Sequence, residues 1–187
     1  MDPRPGDIVL FRPRGWGWLL SPISLAIKWF QRLPVTHTAI LAFPETETVI
    51  EAYYPRVRKS KIGSRLGFEW CIVRPKDVSD AQAAWARNRA LELVGKGYDV
   101  QGILYLGWLL LLEWSVGAFI RDRVRIADRP DRLFCQELVT YCYESTGFKF
   151  SEMMGFKDPS AITPGDVGAR TREGLFDRVK ASPGWTG

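Results

Sequence analysis

Two β-rich runs either side of a short turn constrain this chain more than any other feature in it. THTAILAF (residues 36–43) and TVIEAYY (48–54) flank Pro44-Glu45-Thr46-Glu47. β-Branched and aromatic residues on both sides of a Pro-containing turn read as an antiparallel hairpin. The hairpin carries the one histidine of the chain, His37, and a carboxylate, Glu51, set among Val49, Ile50, Ala52 and Tyr53. A charge inside such a run either faces solvent or is paired, because a lone buried charge is too costly. Pairing with His37 sets a geometric condition. A two- or four-residue loop puts Glu51 opposite Ile40, facing away from His37. A three-residue loop, or a bulge at residues 44–47, puts it opposite Ala39 and diagonal to His37 on one face.

Around this hairpin the chain reads as one domain, residues 1–187. Pro5-Gly6-Asp7 is a turn, and Ile8 to Phe11 a short buried strand. Further strands are expected near residues 57–62 and 68–74. Residues 18–32 are predicted helical, lying over the core or on a membrane and closed by Pro34. A second helix over residues 80–95 is capped by Ser79 or Asp80 and ended by Gly95, with Ala84, Arg87, Ala90, Leu91 and Val94 at helical spacing. A third covers residues 134–146 and ends at Gly147. Thr163-Pro164-Gly165-Asp166 reads as another turn, followed by a short strand and a tail.

Charge and composition exclude several classes. The net charge of +5 favours anionic neighbours, and Arg56, Arg58, Lys59, Lys61 and Arg65, like Arg121, Arg123, Arg125, Arg129 and Arg132, read as a solvated basic face. No reading helix or aromatic-basic repeat supports nucleic-acid binding. With one histidine, three cysteines and no CxxC pair, no metal site is expected. No nucleotide signature is present either, so no cofactor is expected. The start, MDPRPGDIVLF, lacks the pattern of a secretory signal, which makes a reducing cytoplasm the expected compartment. Residues 102–120 are strongly apolar around Glu113. A central carboxylate opposes bilayer insertion by roughly 2.5–3.5 kcal/mol, so a soluble or interfacial hairpin-like helix is expected rather than a span.

The chemistry centres on Cys135. It stands where the third helix begins, where free N–H groups and the positive dipole end favour a thiolate, helped by Arg132 if that side chain faces the thiol. Cys142 and Cys71 read as buried structural cysteines. His37 is the one histidine that could take the thiol proton and return it to a leaving group. Its register with Ala39 and Leu41 leaves room beside it for a helix carrying the thiol. Glu51 would hold the imidazole in its tautomer and orientation. Tyr98, after the Gly95-Lys96-Gly97 turn, is either an oxyanion or substrate donor or a structural tyrosine, and the backbone N–H of Cys135 is a second donor.

The order PGDIVLF, THTAIL, VIEAYY, LVGKGYD, FCQELVTYCYESTG and TPGDV resembles the circularly permuted, NlpC-type papain-like cysteine hydrolases, in the YiiX-like branch related to lecithin–retinol acyltransferases. Ordinary members run Cys first, so His before Glu before Cys is the discriminating order. The resemblance implies an α+β fold with a permuted papain-like core, in which an antiparallel sheet carrying His37 and Glu51 packs against the helix bearing Cys135. It also implies hydrolysis or transfer at an amide, ester or thioester carbonyl through an acyl-enzyme at Cys135, on a peptide or lipid acyl substrate. Two features depart from the family. Gln136 stands where a small residue commonly follows the nucleophile, and residues 102–132 form an apolar, then Arg-rich insertion. That insertion suits an anionic membrane surface, giving a cytoplasmic protein peripheral to membrane as the expectation. The competing expectation is a catalytically idle papain-like fold that binds a membrane or a partner.

Overall fold

The computed structural model describes residues 1–14, 35–116 and 132–185, apart from the side chain of Trp114. The helix expected over residues 18–32 and the arginines at 121, 123, 125 and 129 lie outside the described residues.

The strands are β1 (Ile8–Pro13), β2 (His37–Phe43), β3 (Thr48–Tyr53), β4 (Arg56–Lys61), β5 (Phe68–Pro75), β6 (Gly97–Tyr98), β7 (Arg132–Leu133) and β8 (Phe176–Ala181). They form a curled sheet in the order β7-β6-β4-β3-β2-β1-β5-β8, in which β6–β7 is the parallel pair and the rest are antiparallel. With the helices α1 (Asp80–Glu92), α2 (Val100–Val116), α3 (Cys135–Glu144), α4 (Phe150–Met154) and α5 (Pro164–Arg172), the architecture is α+β.

The middle strands are apolar on both faces because both faces are covered. Ile8, Leu10, Ile40, Ala42, Ile50 and Ala52 share one core with Leu138, Val139 and Cys142 of α3. Val9, Phe11, Ala39, Leu41 and Val49 share another with Ile62 and Ile72. Alternation along β2 therefore turns Thr38, Ile40 and Ala42 to the helix, and Ala39 and Leu41 away from it. This corrects the expectation that the helix lies beside Ala39 and Leu41.

The helix α3 begins at Cys135 because Phe134 is extended (φ −98°, ψ 174°) and its N–H is accepted by the Glu137 side chain at 3.2 Å, as in half of a capping box. It ends near Gly147, whose φ of +79° suits glycine. Tyr143 ties the helix to the first turn by donating its buried hydroxyl to Gly6 O at 2.5 Å.

Two sequence expectations about helices change. Ser79 does cap α1, in a reciprocal box with Gln82, but the buried face is Ala83, Ala86 and Ala90 rather than the stripe through Ala84 and Arg87. Small residues there let α1 approach the Pro5-Gly6 turn. Thr163 to Asp166 is not a turn. Thr163 is the N-cap of α5, Pro164 its first residue, and Asp166 completes a capping box.

Gly6 has φ +94°, and a Cβ there would lie 2.2 Å from Ala83 O. Gly6→Ala is expected to cost about 2 kcal/mol or more and to lower Tm by about 4–8 °C, as followed by circular dichroism. An unchanged melt would show that this contact relaxes freely.

Candidate functional site

The β2–β3 pairing decides where Glu51 points. Ile40 pairs with Ile50 and Leu41 with Val49, but Phe43 pairs with Thr48. Ala42 is thus an extra residue, and the four residues of the turn would otherwise have set Glu51 on the wrong face. The required irregularity exists, though it sits in β2 at residues 41–43 rather than in the turn. Carried one residue on, the Ile40–Ile50 register places Glu51 across from Ala39 and diagonal to His37.

The two side chains meet there. His37 Nε2 lies 2.9 Å from Glu51 Oε2, with Glu51 wholly buried and His37 8% exposed. Glu51 has three further donors: Arg58 Nε at 3.1 Å, Ser60 Oγ at 2.9 Å and Arg65 through Nη2, which also bonds Oε2. Burial alone would raise the Glu51 pKa. The hydrogen bonds and charges of His37 and Arg65 overcome this and hold the carboxyl below the usual carboxylate range. For His37, burial and then the Arg65 charge, with a smaller push in the same direction from Arg58, outweigh Glu51, so the imidazole is lowered to about 4. It is neutral at pH 7.

Arg58 and Arg65 were expected on a solvated basic face. Arg58 is half-exposed, but its Nε reaches Glu51. Arg65 is only 11% exposed at its side chain and lies inside the cluster. The signal that could have located Arg58 is Glu51 itself, since a carboxylate in an apolar strand needs a cation on the neighbouring strand, and Arg58 pairs directly with it. Arg65 leaves the short 3₁₀ turn at Ile62–Ser64, where no periodicity marks it.

Cys135 is 3% exposed, packed with Phe134 and with Leu106, Leu109 and Leu110 of α2, and Tyr98 lies against the same cluster. Burial pushes its thiol up to about 11, against the opposing pull of the Thr38 and Gln136 backbone groups, the Arg65 charge and the Thr38 hydroxyl. Among the described residues, the Thr38 hydroxyl has no other hydrogen-bond partner. Tyr98 is raised by burial, then by the neighbouring Cys135 and Asp99. The structure thus brings Cys135 against Thr38 and Tyr98, and His37 against Glu51 and Arg65. It shows no hydrogen bond between His37 and Cys135. Gln136 is fully buried within α3, donating to Thr140 Oγ1 at 3.2 Å. Cys142 and Cys71 are buried thiols, both raised chiefly by burial, Cys71 to about 11.

In the insertion, α2 starts where Asp99 Oδ1 accepts the Gly102 N–H at 2.9 Å. Its outer side exposes Leu104, Trp108 and Val116. Among the described residues, no helix is long and apolar enough to cross a membrane.

No protein-family model matches the chain, and no curated protein matches it. Among solved structures, it is similar to the crystal structure of metalloprotein yiiX from Escherichia coli O157:H7, with a TM-score of 0.54 and 20% identity over 98% of this chain and 91% of that one. The chain has a YiiX-like fold. That neighbour is described as a metalloprotein. Here, no group of three or more His, Cys, Asp or Glu among the described residues could hold a metal ion. Glu51, the carboxylate beside the histidine, is already bonded by His37, Arg58, Ser60 and Arg65. These residues do not fit a metal centre.

The sign of the His37 shift gives a stability test. An unfolded histidine titrates near 6.5, the folded one at about 4. Between those values the unfolded chain binds a proton that the folded chain refuses, so stability falls as pH drops, by about 3 kcal/mol. Glu51, with its lowered pKa, adds to the loss at still lower pH. Urea midpoints for the wild type should fall more between pH 7 and 4.5 than those for His37→Gln. Parallel curves would mean that His37 is not held neutral by the fold.

Proposed function

We propose that this protein is a cysteine-dependent hydrolase or acyltransferase with a permuted papain-like, NlpC-type core, acting at an amide, ester or thioester carbonyl. The observation that carries this reading is the buried His37–Glu51 pair at the start of β2, one residue from the Thr38 that meets Cys135 at the start of α3. In this reading Glu51 holds Nε2 and leaves Nδ1 as the nitrogen for the thiol proton.

The Cys135 sulfur attacks the carbonyl carbon as its proton passes to His37. Collapse of the tetrahedral intermediate expels the leaving group, which takes that proton, and leaves a thioester at Cys135. Water or another acceptor then attacks the thioester, giving up its proton through His37 and restoring the thiol. Tyr98 and the N–H groups at the start of α3 are the proposed donors to the oxyanion. Thiol and imidazole rest neutral and unbonded, and alternation puts His37 on the face of β2 opposite Thr38, so the reading requires the imidazole to reach Cys135 around the end of the strand when substrate is present. Substrate must also move Leu106, Leu109 or Leu110 to reach the sulfur.

The expected substrate is a peptide or lipid acyl group. The exposed apolar residues of α2 favour the lipid, with an anionic membrane surface as partner and a peripheral, cytoplasmic setting. Nucleic acid is not the expected partner. The buried, neutral thiol favours a second reading, a catalytically idle fold that binds a membrane or a partner.

Alkylation of Cys135, located by mass spectrometry across pH, separates the two. An enzyme should show labelling that slows at least tenfold in His37→Ala. Equal, slow labelling in both proteins would leave only the binding reading. For the membrane, co-flotation with anionic liposomes at low salt is expected to weaken in Trp108→Glu and Leu104→Glu. A protein that never floats with such liposomes has no lipid-docking surface here.

A further inference from the structure

Arg65 has more contacts in the site than any single role assigned above requires. Its guanidinium carbon lies 4.9 Å from the ring centroid of Phe11, 4.8 Å from that of Tyr53 and 5.6 Å from that of Phe68. Within this box, Nη2 approaches His37 Nε2 to 2.9 Å and also bonds Glu51 Oε2, while Nε has no partner among the described residues. A guanidinium is donor-only and always charged; a carboxylate is acceptor-only. The single atom Nε2 therefore faces two opposite demands. Glu51 calls for a hydrogen on Nε2, and Arg65 for a bare nitrogen. Both can be accommodated on a neutral ring if Arg65 directs its N–H to Oε2 and Nε2–H donates to that same oxygen. A protonated ring would set imidazolium and guanidinium 2.9 Å apart in a buried site, where like charges repel strongly.

The other groups facing His37 do not duplicate this. From β3 come Glu51 and the Tyr53 ring, whose centroid is 6.2 Å away. Arg58, from β4, bonds the other oxygen of Glu51 and is half-exposed. From β1 comes the Phe11 ring at 5.7 Å, with the next residue, Arg12, turned to Glu69 at 2.5 Å.

We propose that Arg65 is a positioning residue that fixes Glu51 Oε2 against His37 and keeps the imidazole neutral, so that thiol and base rest as an uncharged pair. This rests on the reading of His37 as the base for Cys135, but it has a readout independent of that reading. His37 is the only histidine in the chain, so protein labelled with ¹⁵N-histidine gives one pair of ring nitrogen signals and one titration curve.

The test compares the wild type with Arg65→Met, whose apolar stem suits the ring box, with Arg65→Gln as a second neutral variant, and with Arg65→Lys. Both neutral variants are expected to raise the His37 midpoint by one pH unit or more, and Arg65→Lys to hold it near the wild-type value. If only one neutral variant folds, it decides alone. An unmoved midpoint in a folded neutral variant overturns the proposal, as does a rise in Arg65→Lys equal to theirs. Alkylation of Cys135 in Arg65→Met should extend to lower pH, and the added His37→Ala change should abolish that extension. If His37→Ala alone leaves alkylation untouched, the base reading fails while the titration still decides the role of Arg65.

Discussion

A fully buried carboxylate governs the centre of this fold. Removing Glu51 from water without partners would cost several kcal/mol, and the surrounding elements are arranged so that it is never without them. The bulge at Ala42 turns it toward His37, the register of β4 puts Arg58 and Ser60 beside it, and the turn after β4 returns Arg65. Each of these is a backbone decision serving one side chain. Much of what distinguishes the β2–β4 region from a plain meander follows from that one charge.

The same burial sets the chemical state of the site. Desolvation penalises charge at Cys135 and His37 alike, so sulfur and imidazole are both neutral, the sulfur lying against the leucines of α2. The Thr38 backbone, the Gln136 backbone at the start of α3 and the Arg65 charge pull the thiol the other way without winning. Glu51 supports a charged imidazole, yet it shares its negative charge with two arginines. One carboxylate set against two arginines leaves this cluster with a net charge of about +1, and small movements of Arg65 carry large electrostatic weight.

The sequence made the strong alternations legible. The strands around Ile8, His37, Glu51, Val57 and Phe68, and the helices following Ser79 and Phe134, are all near where their periodicity and caps placed them. The two-residue strands β6 and β7 are too short to carry any pattern. The helix at Pro164 is hidden by Pro-Gly-Asp, which is equally a turn pattern, although Thr163 and Asp166 have the spacing of a capping box. In the site, the meeting of His37 and Glu51 could be reasoned from parity. Arg65 could not, because its place depends on a turn whose geometry no local rule dictates, and its charge looked like solvent decoration. The face of β2 that receives α3 was misjudged because small residues occur on both faces, with Ala39 on one and Ala42 on the other.

The bulged hairpin also limits how this region can change in length. Loss or gain of one residue between Leu41 and Thr48 exchanges inside for outside along all of β3, bringing Ile50 and Ala52 to the face that now holds Glu51. Only paired changes, or a healed bulge traded for a turn one residue shorter, keep Glu51 beside His37. Descendants of this chain are free to vary the composition of that turn, but its residue count is locked to the parity of the strand it follows.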